Sequence, residues 1–285
     1  MRQLIRRYPI AAFLVLVTVL GWLAVLVGTT WMPIDAEHPM TPLHGILVFL
    51  IASPSVVGVV LTAVVDGRQG LKELWARAIQ WRVSVLWYAL ALIVPFSVSW
   101  LSYTVQGWLG GPSEPIDLAS QAAFILPFAL MACVLEEFGW RGYLLPRLQA
   151  RFSPATSAWI VGVAWLLWHT AINYLGLAGL HSGGRLWLML LIAGQLNLSL
   201  SFLMSWVNNR TDGSMLLVVI AHFSVTMGNV FGLVNPSPAD AIRAPLISAL
   251  VHWVVVIIIT QLGGLRLEKE TPSRPETVSG AWWRR

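Results

Sequence analysis

The chain has 285 residues, of which 57% are hydrophobic and only 11% are charged. A soluble domain carries roughly a quarter charged residues, so this composition excludes an ordinary soluble protein and indicates an integral membrane protein. The single cysteine, Cys133, excludes an intramolecular disulfide framework.

The predicted elements are apolar segments, each long enough to cross the hydrocarbon core of a bilayer as a helix of about 20 residues. The first follows the basic start MRQLIRRYP and is too long for a cleaved signal sequence, so we expect it to be retained. The sequence therefore predicts an all-α polytopic membrane protein, a bundle of about eight transmembrane helices. The predicted spans are 9–32, 43–65, 83–105, 120–144, 155–175, 186–207, 214–234 and 244–262.

The distribution of positive charge predicts the orientation of this bundle. Of the 18 basic residues, only Arg185 and Arg243 fall in loops that would lie outside if the N-terminus is cytoplasmic. An excess of Lys and Arg on the cytoplasmic side is typical of membrane proteins, so both termini are expected inside. The net charge of +5 is then explained by an anionic inner leaflet and not by nucleic acid. We expect a multi-pass protein of a prokaryotic cytoplasmic membrane.

Three regions follow from this pattern. Residues 1–119 form an N-terminal three-helix membrane region with an interfacial amphipathic helix near 70–82, where Leu71, Leu74 and Trp75 recur at helical spacing. Residues 120–235 hold the fourth to seventh predicted spans, which contain Glu136, Glu137, His169 and His222. Residues 236–285 form the last transmembrane helix and a charged, proline-bearing cytoplasmic tail that is predicted to be disordered.

The acidic residues inside the predicted spans are Glu136 and Glu137, in the stretch VLEEFGWRGYLL. A charged side chain at the bilayer centre costs at least ~2.5–3.5 kcal/mol on insertion scales, so such residues are functional candidates. Glu137 and Arg141 are four apart and share one helix face, in the favourable acid-before-base order. Glu136 points about 100° away. We therefore expect Glu137 to pair with Arg141 and Glu136 to face a cavity, able to act as base and acid.

Two histidines supply the second half of a predicted site. His169 follows Trp165 by one turn, and His222 precedes Thr226 and Asn229 on one stripe of its helix. Buried polar groups on neighbouring spans need one another, so we expect a shared site. The sequence contains neither an HExxH zinc motif nor a GxSxG nucleophile elbow. The remaining hydrolytic arrangement is glutamate plus histidine activating a water, directly or through a metal.

These motifs resemble a known family. EEFGWRG matches the EExxxR signature of the CAAX protease and bacteriocin-processing family, also called Abi or type II CAAX prenyl endopeptidases. The aromatic-xxx-His element from Trp165 to His169 and the element beginning at His222 are similar to the family's later motifs in order and position. The resemblance covers roughly residues 120–235, and it implies that these residues form the catalytic core. It implies an intramembrane peptidase of the glutamic or metalloprotease type.

The resemblance also implies roles for individual residues. Glu136 with His169 would activate the attacking water, and His222 with a following Asn would stabilise the oxyanion. Glu137 and Arg141 would hold the site together. Two positions depart from the family pattern, because the usual Phe is Trp165 here and the usual Asn after His222 is Thr226, with Asn229 farther along the helix.

The expected function is hydrolysis of a peptide bond in a membrane-associated protein or peptide, of the CAAX type or the bacteriocin-processing type. The alternatives are a non-catalytic membrane scaffold or immunity-type binder and, third, a proton-coupled transporter that uses the same groups as a relay. The cofactor stays open: zinc held by Glu136, Glu137, His169 and His222 is chemically possible, and so is a metal-free site.

Overall fold

The computed structural model describes residues 2–30, 52–109, 118–177, 183–231, 242–262 and 264–265. Over these residues the secondary structure is helical, and no strand occurs among them. The α-helices are α1 Arg2–Arg7, α2 Pro9–Thr30, α3 Ser53–Val65, α4 Gly67–Ala78, α5 Val85–Trp108, α6 Leu118–Glu137, α7 Leu145–Gln149, α8 Pro154–Leu177, α9 Gly183–Arg210, α10 Met215–Phe231 and α11 Arg243–Gln261. A π-helical segment, Phe138–Leu144, joins α6 directly to α7.

Three of the described helices contain stretches long and apolar enough to cross a membrane, and these stretches are Pro9–Val27, Val85–Trp108 and Leu186–Arg210. Shorter apolar helices occupy Ser53–Val65, Met215–Gly228 and Pro245–Gln261. The first part of the predicted span 43–65 lies outside the described residues, and the predicted tail lies almost entirely outside them. An all-helical chain with apolar spans is thus confirmed, whereas the number eight and the orientation of the termini stay predictions.

The helices pack around α9. Of its spanning stretch, 61% is buried, against 28% for the stretch of α5, so α9 is central and α5 is peripheral. α8 packs along α9, α2 packs on α8, and α10 lies between α5 and α6. The apolar core includes Phe13, Trp140, Trp165 and Trp168, whose large rings fill the space between these helices.

α3 and the π-helical segment meet at glycines. A Cβ built on Gly58 would lie 2.9 Å from the Cα of Gly139, and one on Gly139 would lie 2.2 Å from the carbonyl oxygen of Pro54. Real Cβ atoms do not make contacts this short, so only glycine permits this approach of two backbones. The crossing fixes the segment that follows the two glutamates against α3.

α4 begins before and ends within the segment 70–82 that the sequence predicts to be interfacial. Leu74 is buried, whereas Trp75, Ile79 and Trp81 are more than half exposed. Exposed tryptophans beside basic residues are typical of a membrane–water boundary. The placement of α4 on the membrane surface stays a prediction.

Candidate active site

The EExxxR motif crosses from an α-helix into a π-helix. Glu136 and Glu137 end α6, and the next seven residues, Phe138–Leu144, are π-helical. The N–H of Leu145 donates to the carbonyl oxygen of Trp140, five residues back. The sequence pattern predicted one uninterrupted helix over 120–144, because a change of register leaves no mark on hydrophobic periodicity. π-helical turns are rare and occur frequently at functional sites.

Glu137 is the centre of a buried ion-pair cluster. Its carboxylate accepts hydrogen bonds from Nη1 of Arg141, at 3.0 Å to Oε1 and 3.2 Å to Oε2. Nδ1 of His222, on α10, lies 2.8 Å from the same Oε1. Glu137 and Arg141 have no exposed surface. The sequence predicted the pair with Arg141; it did not identify His222 as a partner of this glutamate, because α10 lies far along the chain.

Glu136 has different surroundings. Nε1 of Trp165, on α8, donates to its Oε2 at 2.7 Å. Glu136 retains 8% of its surface exposed, where Glu137 retains none. The turn between the two glutamates therefore separates them as expected: one carboxylate is saturated with charged partners, and the other keeps an oxygen for a further one.

Trp165 contacts four of the predicted polar residues of the site: Glu136, Arg141, His169 and His222. Besides its hydrogen bond to Glu136, its ring lies 4.5 Å from Cζ of Arg141 in a cation–π contact. The rings of His222 and His169 lie edge-on to it, with centroids at 5.2 and 5.5 Å. The sequence singled out Trp165 as a variant of a family aromatic and missed its indole N–H as a donor to the carboxylate.

His169 is brought to the same cluster through aromatic contacts. Its ring lies 4.8 Å from that of Trp168. Nδ1 is buried and has no hydrogen-bond partner among the described residues. We find no hydrogen bond between His169 and Glu136 within the described part of the chain, so the predicted pairing of these two groups on one water stays a prediction.

The second departure from the family pattern, at Thr226, lies on α10. Oγ1 of Thr226 donates to the carbonyl oxygen of His222 at 2.9 Å, and it lies 3.8 Å from Sγ of Cys133. A hydroxyl that bonds to its own helix backbone is engaged there. Asn229 lies on the same helix, but its side chain lies outside the described residues.

The arrangement of the predicted zinc ligands decides whether they could hold a metal ion. No group of three His, Cys, Asp or Glu side chains that could hold a metal ion occurs in the part of the chain that the structure describes. Glu137 is engaged by Arg141 and His222, and one oxygen of Glu136 is engaged by Trp165. As arranged in the described part of the chain, the predicted zinc ligands do not form a metal site.

Two comparisons with known proteins bear on this site. Residues 118–228 match the family model described as Type II CAAX prenyl endopeptidase Rce1-like. The resemblance to the CAAX protease family is confirmed. A curated relative, CAAX prenyl protease 2 of Methanococcus maripaludis, is 26% identical over 146 residues, which are 50% of this chain and 51% of the relative. The chain thus spans about half the length of the CAAX protease that it matches.

The CAAX protease match covers the site described above. It begins at the first residue of α6 and ends two residues after Thr226. Both glutamates, Arg141, Trp165 and both histidines fall within it, and Asn229 falls just beyond it. The comparisons therefore support a peptidase, and they leave open whether it is of the glutamic or the metallo type.

Proposed function

We propose that this chain is an intramembrane endopeptidase that hydrolyses a peptide bond of a membrane-associated protein or peptide, with Glu136 as general base. The observation that carries the proposal is the difference between the two adjacent carboxylates. Glu137 is engaged by Arg141 and His222 and has no exposed surface, whereas Glu136 has one hydrogen bond among the described residues and keeps 8% of its surface exposed. The match to CAAX prenyl endopeptidases over the same residues supports it.

The reaction assigns one role to each oxygen of Glu136. Trp165 holds Oε2, so Oε1 accepts a proton from the attacking water. The water oxygen forms a bond to the scissile carbonyl carbon, and the carbonyl electrons move onto its oxygen. When this intermediate collapses, the C–N bond breaks and Glu136 returns the proton to the leaving amine. One carboxyl group therefore acts as base and then as acid, without net consumption of protons.

His222 supplies the complementary role. Its Nδ1 is fixed by Glu137, which in turn is held by Arg141, so the ring cannot rotate freely. Nε2 then points away from the ion pair and, when protonated, donates to the developing oxyanion. His169, one turn after Trp165, has an unpaired Nδ1 among the described residues and is the second group available to the water. Thr226 is engaged with its own helix and contributes little.

The proposed substrate class rests on the match to CAAX prenyl endopeptidases. The curated relative is named a CAAX prenyl protease, and we propose a peptide bond close to a membrane-anchored end of the substrate, of the CAAX type or the bacteriocin-processing type. We propose that α4 lies on the anionic inner leaflet of a prokaryotic membrane. The multi-pass protein would then meet such a substrate at the cytoplasmic surface.

The test compares wild type with Glu136→Gln in membranes, by cataloguing new N-termini on membrane-associated proteins. Glutamine keeps an oxygen for the Trp165 indole but cannot accept a proton, so cleavage is expected to fall by at least about 10²–10⁴-fold while the protein still folds. Glu73→Gln, on α4, is the matched control and is expected to cleave like wild type. Identical catalogues from wild type and folded Glu136→Gln would exclude the peptidase and favour a scaffold or a transporter.

A further inference from the structure

Arg77, on α4, contacts the backbone of residues that adjoin the site but are distant from it in sequence. Its Nη2 donates to the carbonyl oxygen of Arg141 at 2.8 Å, and its Nη1 donates to that of Gly142 at 3.2 Å. Its Nε donates to the carbonyl oxygen of Gly213 at 2.9 Å, and Nη2 also lies 3.3 Å from Oδ1 of Asn208. The side chain thus contacts three separate parts of the chain with one planar group.

One of the first two carbonyls lacks its helical donor because of Pro146. In the π register, the carbonyl of Arg141 would accept from the residue five positions on, which is Pro146. In the α register, the carbonyl of Gly142 would accept from the same residue. Proline has no N–H, so either register leaves a carbonyl without its helical donor. Arg77 supplies donors to both of these oxygens.

The third carbonyl belongs to the turn that starts α10. Gly213 adopts a φ of +77°, and a Cβ built on it would lie 3.0 Å from Nε of Arg77. Gln80, two residues after α4, adds to this contact: its Nε2 donates to the carbonyl oxygen of Thr211, and its own carbonyl oxygen accepts from Oγ of Ser214. The end of α4 and the loop after it are therefore fastened to the base of the helix that carries His222.

We propose that Arg77 is a positioning residue for the proposed peptidase: it fastens the π-helical segment to the start of α10 and so holds Glu137 within hydrogen-bond distance of His222. This inference rests on the proposed function for its catalytic consequence. Burial, and to a lesser extent the positive charge of Arg147, lower the pKa of Arg77 to about 10. The guanidinium is therefore still protonated at neutral pH and keeps all its donors.

The principal variant is Arg77→Gln, with Arg68→Gln as its matched control. Arg68 lies on the same helix, is exposed, and loses the same charge on substitution. In folded protein we expect kcat of Arg77→Gln to fall by about 10- to 100-fold, because displacement of reacting groups by about 1 Å has this effect. KM is expected to stay within about twofold, since Arg77 does not contact substrate. Arg68→Gln is expected to match wild type in both.

A second substitution distinguishes positioning from a general loss of stability. Pro146→Ala, combined with Arg77→Gln, restores an N–H that can bond to one of the two carbonyls. We expect the double variant to recover about three- to tenfold in kcat over Arg77→Gln. The absence of any recovery would contradict the assignment of Arg77 to these carbonyls.

Amide hydrogen exchange tests the inference without activity. Arg77→Gln is expected to accelerate exchange in residues 138–149 and 208–218, with residues 86–100 of α5 as the internal reference. If wild type shows no Glu136-dependent cleavage, the proposed function fails, and exchange alone decides whether Arg77 joins the two segments. If wild type is active and folded Arg77→Gln has the kcat of Arg68→Gln, or its loss follows the folded fraction alone, the inference is wrong.

Discussion

The two sides of the candidate site hold their polar groups in different ways. On the side of the π-helical segment, Glu137, Arg141 and His222 make three mutual contacts of 2.8 to 3.2 Å, and the first two residues are completely buried. On the side of α8, Glu136 has one hydrogen bond to Trp165, and Nδ1 of His169 has no partner among the described residues.

This difference bears on which of the two carboxylates can change partners during a reaction. Breaking a buried ion pair leaves an uncompensated charge and is strongly unfavourable, so Glu137 cannot change partners during a reaction. A carboxylate with one neutral donor and a free oxygen can take up and release a proton with little rearrangement. Adjacent residues of the same type therefore have different surroundings, because a helix turns by about 100° between them.

The largest expected effect that tests this difference between Glu136 and Glu137 is on the free energy of unfolding. Glu137→Gln leaves Arg141 buried without a carboxylate, so the free energy of unfolding is expected to fall by about 3–5 kcal/mol. Glu136→Gln is expected to lower it by less than about 1 kcal/mol, since glutamine still accepts the indole N–H. Denaturant unfolding in detergent measures both. Equal losses for the two variants would mean that the carboxylates are not divided in this way.

A smaller effect is expected on catalysis from Trp165→Phe, which keeps the ring but removes the donor to Glu136. Hydrogen bonds to charged groups contribute about 1.5–3 kcal/mol, so kcat is expected to fall by roughly 10- to 100-fold. Trp168→Phe is the matched control, because its Nε1 donates to Oγ of Ser53 at 3.1 Å and not to a carboxylate. Steady-state cleavage of a reporter peptide measures both variants, and a wild-type kcat for Trp165→Phe would show that the indole N–H does not orient the base.

The smallest expected effect is that of Thr226→Val. The hydroxyl of Thr226 already donates to the carbonyl of His222, so its loss is expected to change kcat by less than about twofold and stability by less than about 0.5 kcal/mol. The same cleavage assay and thermal unfolding measure these changes. A tenfold loss of kcat would instead identify this hydroxyl as an oxyanion donor. Thr226 would then take part in the reaction together with His222.

The local part of this arrangement could be predicted from sequence. Helical spacing alone predicts that Glu137 and Arg141 meet four residues apart and that Glu136 faces elsewhere. Spacing also places Thr226 one turn after His222. The back-bond of its hydroxyl was predictable as well, because threonine inside a helix commonly bonds to the carbonyl four residues earlier.

The non-local part could not be predicted from spacing. The contact between His222 and Glu137 joins residues 85 positions apart, and it depends on how α10 packs on α6. Arg77 looked like one more basic residue on the polar face of an interfacial helix. A signal for its role exists in Pro146, which removes an N–H from the helix after the motif, but nothing in the sequence says which side chain replaces it.

The contact at Gly139 limits how a substrate can enter. Both partners at this crossing are main chain, so no change of rotamer can widen it, and a peptide cannot pass between α3 and the π-helical segment. For the proposed peptidase, the glycine crossing is therefore a fixed boundary of the site, and a substrate would have to approach Glu136 from another side.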